Sequence, residues 1–287
     1  MKAIVRSVAG LAALLLVTTA CASGDSGAGV PAAGFEHIHG LAVAADATPY
    51  VATHGGLVRR SGDGWEYASG DRNDHMGFVM DPAGGTMWRS GHSASRPSLG
   101  VETSADGGAT WTRLSDVLDP PVDFHAMAVS YADPTVLYGW DSGGRGLFRS
   151  DDAGSTWTRL EPAGLPDPRV LALGAPAEPD VVFAGTPAGL FRSDDRGETW
   201  SAFAGYAGGA VTAIGCDPSD PADLLVAGQG GIARTIDGGR TWATTPLPTS
   251  DFVGALAISP AEEEVAYASV TTTVFESRDG GTTWNKL

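Results

Sequence analysis

The sequence predicts an all-β fold, a six-bladed β-propeller, and three observations predict it. First, an eight-residue motif, Ser/Thr-x-Asp-x-Gly-x-Thr-Trp, occurs five times in the 287 residues: "SADGGATW" from Ser104, "SDDAGSTW" from Ser150, "SDDRGETW" from Ser193, "TIDGGRTW" from Thr235 and "SRDGGTTW" from Ser277. A shortened copy, "SGDGW", begins at Ser61, and successive starts differ by 43, 46, 43, 42 and 42 residues. Second, the same order of short apolar runs, bounded by turn residues, recurs around each copy. Third, helix-period patterning is missing after the first twenty residues. Four short strands per repeat describe a propeller blade, and six repeats give six blades.

In chain order, residues 1–20 read as an export signal. "MKAIVRS" is a basic start, and "VAGLAALLLV" is an apolar core too short to span a bilayer well. The following "VTTAC" resembles a bacterial lipoprotein cleavage signal, with Thr18 where Leu is usual. The resemblance implies lipidation of Cys21, which would hold the chain at a membrane surface without spanning it. Residues 21–34 are small and polar and read as a tether. Residues 35–287 are the propeller. The expected location is the outer face of the cell membrane or the cell envelope. With Cys21 lipidated, Cys216 has no disulfide partner, so stability must come from the core.

Each blade begins with an apolar inner strand: "HGLAVAA", "GFVMDP", "HAMAVSY", "VLALGAP", "VTAIGCDP" and "GALAISP". A second strand follows ("PYVATH", "TMWRSGH", "VLYGWD", "VVFAGTP", "LLVAGQ", "VAYASV"), then a third such as "GLFRS", and the motif's Trp opens the fourth. The motif resembles the Asp-box (BNR) repeat of bacterial lipoproteins in the glycosyl-hydrolase-like, sialidase- and sortilin-related group. Its chemistry is structural: a short side chain bonds nearby amides, Gly takes the positive φ, and Trp packs back on the sheet. A calcium loop would need a closing Glu and alternating oxygens, which the motif lacks.

Function is read from the histidines. All six, His37, His39, His54, His75, His92 and His125, fall in the first half of the chain. Alignment of the inner strands puts His39, Met76, His125, Arg169, Ala210 and Gly254 in one row. Two residues earlier stand His37, Asp74, Asp123, Asp167, Gly208 and Phe252, on the same faces. His54 and His92 end second strands, beside the starts of inner strands, and His75 precedes the inner strand of blade two. Strand alternation therefore gathers all six imidazoles at one mouth of the central channel and sends the Asp boxes to the other.

Two chemistries compete there. Neutral imidazoles with carboxylate partners suit zinc, copper or nickel: His37, His39, His54 and His125 as the core, with His75 and His92 as further ligands or hydrogen-bond donors. Alternatively, Asp74 and Asp123 would serve as general acid and base of a glycoside hydrolase, with Asp141, Asp167 and Arg169 contacting the ligand. The resemblance implies that second chemistry by fold alone, and the lack of an Arg-Ile-Pro motif or three channel arginines argues against a sialidase. If an enzyme, the chain is a glycoside hydrolase or a metal-dependent hydrolase. A third reading, a protein-interaction module, follows from resemblance to sortilin-like and photosystem-assembly propellers. The net charge of −16 disfavours nucleic acid as partner. The expected partners are the membrane through Cys21 and a small ligand, metal or glycan at the mouth, with the chain a monomer.

Overall fold

The computed structural model describes residues 35–287 apart from 142, 167–169, 229–230, 246 and 248–250. The signal, the tether and Cys21 lie outside them, as do Asp167 and Arg169. Among the described residues there is no helix, and 24 strands form six four-stranded antiparallel sheets. Each sheet is one contiguous stretch of chain, its strands paired in sequence order.

The inner strands are Ile38–Val43, Asp74–Met80, Phe124–Val129, Ala172–Gly174, Val211–Cys216 and Val253–Ile258. Each packs on the next, and the last packs back on the first, closing the ring. Closure is apolar: Ile38, Leu41, Val43, Val51 and Val58 of blade one pack with Ala257, Val265, Tyr267 and Val274 of blade six. The Phe35 amide also donates to the Thr272 carbonyl at 3.4 Å.

The Asp boxes are built alike. In the blade-two box Ser104 Oγ accepts from the Gly108 amide at 2.9 Å and donates to Asp106 Oδ1 at 2.8 Å. Asp106 in turn accepts from the Thr110 amide at 2.9 Å and the Thr110 hydroxyl at 2.6 Å. The box glycine takes a left-handed φ of +83° to +93° in all five complete copies, which only Gly adopts without strain. Trp157, Trp200 and Trp284 donate through Nε1 to that glycine's carbonyl.

These bonds favour the charged carboxylate. Bonds from the threonines hold the pKa of Asp106, Asp195 and Asp237 down to about 2. A depressed carboxylate contributes stability above its unfolded value near 3.8 that is lost as pH falls through about 2. The melting temperature should therefore drop between about pH 4 and pH 2. Scanning calorimetry should show that drop lessened in Asp195→Asn, and an unchanged drop would remove the boxes as its cause.

Candidate metal centre

Five inner strands carry a β-bulge near their start, at His39, Met76, His125, Thr212 and Gly254. In blade four Leu171 holds the matching place, its amide donating to the Gly185 carbonyl at 2.8 Å. A bulge re-aims a side chain and is common beside functional sites. Here the row differs from the expected one: Leu171 and Thr212 occupy it, not the residues two positions earlier, Arg169 and Ala210. The expected alignment of the inner strands is two residues out of register in blades four and five.

His37, His39 and His54 come together. One ligand atom from each lies within 4.8 Å of the others. His37 Nδ1 and His54 Nε2 are 3.4 Å apart, and the ring of His39 meets those of His37 and His54 edge-on at 4.6 and 4.5 Å. His37 immediately precedes the inner strand of blade one, and His39 is the bulged residue at that strand's start. His54 sits in the hairpin between the second and third strands, where the Thr53 hydroxyl donates to the Gly56 carbonyl at 2.7 Å.

Asp74 lies behind this triad. Its Oδ2 pairs with His54 Nδ1 and stands 3.2 Å from His92 Nε2, and its Oδ1 faces His39 Nε2 at 3.4 Å. Those last two atoms are both buried without another partner. A Cβ at Gly91 would meet the Asp74 main-chain carbonyl oxygen at 2.0 Å, so glycine is needed for the second strand to approach the Asp74 backbone. A carboxylate accepting from His54 Nδ1 fixes the tautomer that leaves Nε2 free towards His37.

The array continues into blade three. His92 Nδ1 lies 3.0 Å from Asp123 Oδ2, and His125 Nε2 lies 3.6 Å from the same oxygen. Hydrogen bonding to Asp123 raises the pKa of His125 above the usual imidazole value. Burial, reinforced by the neighbouring imidazoles, pushes that of His39 down to about 3, so this ring is neutral at physiological pH. Asp141 is buried and spends Oδ2 on the Arg145 guanidinium at 2.7 Å and the Asp123 amide at 3.3 Å. Arg145 also holds the Pro120 and Pro121 carbonyls, so Asp141 braces the loop before Asp123.

His75 does not join them, contrary to the expectation of six imidazoles at one mouth. It is fully buried and accepts from Arg89 Nη1 at 2.7 Å, with its ring edge-on to Trp111. The bulge at Met76 decides this: Met76 takes the place of His39, and His75 falls where the other blades put Ile38, Phe124, Val170, Val211 and Val253, all buried. Sequence reasoning also missed Arg89, which is buried against Glu102 at 2.5 Å and Asp71 at 2.6 Å with its guanidinium 4.3 Å from the Trp111 ring centroid. Arginine in the middle of the second strand of blade two, where other blades are apolar or small, was its signal.

The BNR/Asp-box repeat model matches residues 191–202, the end of the third strand, the box and the fourth strand of blade four. The chain is a six-bladed Asp-box propeller. No curated protein sequence matches it. The propeller is similar to a GH74 enzyme of Niastella koreensis, at 18% identity and TM-score 0.65, over 91% of this chain and 46% of that one. It is also similar to a GH74 xyloglucanase of Xanthomonas campestris, at 21% identity and TM-score 0.60, over 88% and 45%. The propeller thus spans about half the length of those enzymes. YCF48, in a structure bound to a D1 peptide, aligns at 18% identity and TM-score 0.51 over 91% of this chain and 83% of that one. Identities this low establish a shared fold.

Proposed function

We propose that the channel mouth is a transition-metal site, with His37, His39 and His54 as ligands of zinc, copper or nickel. The observation that carries this is the convergence of three imidazoles within 4.8 Å. Two nitrogens bound tetrahedrally at about 2.0–2.1 Å stand roughly 3.3–3.4 Å apart, and His37 Nδ1 and His54 Nε2 are separated by 3.4 Å. Asp74 supports the reading as the carboxylate that orients His54 and His39. His92, His125 and Asp123 extend the array as flanking hydrogen-bond partners. With the export signal and Cys21, the reading is a metal-binding protein tethered in the cell envelope.

The glycoside-hydrolase alternative draws on the likeness to GH74 enzymes, which is one of fold. The Asp74 side chain is 8% exposed with both oxygens turned to imidazoles, and Asp123 faces His92 and His125. Neither carboxylate is placed to meet a sugar freely, which favours the metal reading.

Calorimetric titration of chelator-treated protein with zinc tests it. The expected result is one equivalent bound at micromolar concentration or tighter; no binding there overturns the proposal. Asp74→Asn, which disturbs the orienting bonds and spares the ligands, should weaken zinc binding about 10–100-fold. Unchanged affinity would remove Asp74 from the account.

A further inference from the structure

The mouth is polar on one side and apolar on the other. Blades one to three supply imidazoles and carboxylates, while blades four to six supply Leu171, Thr212, Gly254 and Phe252 at the corresponding positions. The Thr212 hydroxyl is turned to the Val253 carbonyl at 2.9 Å and adds no free polar group. Phe252 is 61% exposed and Leu171 39%; among the described residues the other large apolar side chains this exposed are Ile236 and Leu118.

Leu171 and Gly254 line the channel cavity into which His39 opens, and Phe252 adjoins it beside Gly254. Leu171 and His39 line one cavity, of about 120 Å³, along the inner strands of all six blades. A Cβ at Gly254 would stand 3.6 Å from the Phe252 ring and 3.5 Å from the Ile38 carbonyl oxygen. The aromatic ring therefore lies beside Gly254, whose strand packs against the strand that carries His39. A cavity of this volume takes a small molecule, not the face of a folded partner.

We propose that the mouth binds one small amphipathic ligand, whose chelating oxygen-bearing head joins the metal while an aromatic or branched apolar body lies on Phe252 and Leu171. This rests on the metal reading above. A three-imidazole centre keeps a position for such a head, and the exposed ring and leucine gain by being covered. The polar half fixes the head, and the apolar half selects the body.

The probe pair is benzohydroxamate and acetohydroxamate, which share a chelating head and differ in the body. Titrated into the cobalt(II)-loaded full chain, each is followed by the cobalt absorption bands. Benzohydroxamate should bind about tenfold tighter. Phe252→Ala with Leu171→Ala should bring the ratio close to one, with cobalt affinity unchanged. Equal affinities in the wild type, or a ratio that survives both substitutions, would overturn the inference and leave the metal site standing. Failure of the chain to bind cobalt would overturn the metal reading and this inference with it.

Discussion

Replacing His39 with alanine should abolish metal binding, the largest functional effect of any single substitution in this propeller. His39 sits at the centre of the triad, its ring within 4.6 Å of both His37 and His54. It is also the most buried of the three, so water cannot readily replace it. Losing it leaves two exposed imidazoles, one just before the inner strand and one in a hairpin turn, a weak pair for zinc, which takes three or four protein ligands. His54→Ala should act similarly and also free Asp74. His125→Ala, beyond Asp123, should leave zinc bound. The check is zinc per chain by elemental analysis after dialysis, with circular dichroism to confirm folding. Zinc retained by His39→Ala at the wild-type ratio would rule out the triad.

Glu102→Gln should give the largest loss of stability, about 3–5 kcal/mol. Glu102 Oε2 accepts two bonds from Arg89, at 2.9 and 2.5 Å, and both side chains are almost completely buried. Neutralising the carboxylate leaves the guanidinium a single counter-charge, Asp71, itself one quarter exposed, and removing one partner of a buried ion pair is costly. Arg89→Met combined with Glu102→Leu should recover part of the loss, since an apolar pair needs no counter-charge. The recovery is partial because His75 loses its donor. Urea denaturation of the three proteins measures this, and a loss below about 1 kcal/mol for Glu102→Gln would show the pair to be solvated.

Acid acts on the same cluster through His75. Burial, with Arg89 beside it, pushes its pKa down to about 3 from 6.5. An imidazole held neutral in the fold takes up its proton only on unfolding, so stability is fully present above about pH 6.5 and declines as pH falls towards 3.

The fold was legible because the box repeats at near-constant spacing and each residue of it has a local structural task. Box bonds join residues two to four apart, so the sequence contains both partners. The site was legible in part, because strand alternation alone decides which end of a blade a residue occupies. That put His37, His39, His54, His92 and His125 at one mouth together with Asp74 and Asp123. Which way a side chain turns at that end depends on the bulge, and a one-residue shift reverses the face. His75 shows the consequence: next to Met76 it reads as a rim residue, whereas the bulge turns it inward. A comparison down the column Ile38, His75, Phe124, Val170, Val211 and Val253 would have marked it as a core position. The Arg89 cluster was hidden for another reason, since its partners Asp71, His75 and Glu102 are 13 to 18 residues away across three strands and a loop.

X-ray absorption at the zinc edge of the loaded full chain addresses the imidazole triad directly. The account predicts a first shell with three imidazole nitrogens at about 2.0–2.1 Å, recognised by the outer-shell scattering of the rings. A shell of oxygens alone, or one with a single imidazole, would contradict it.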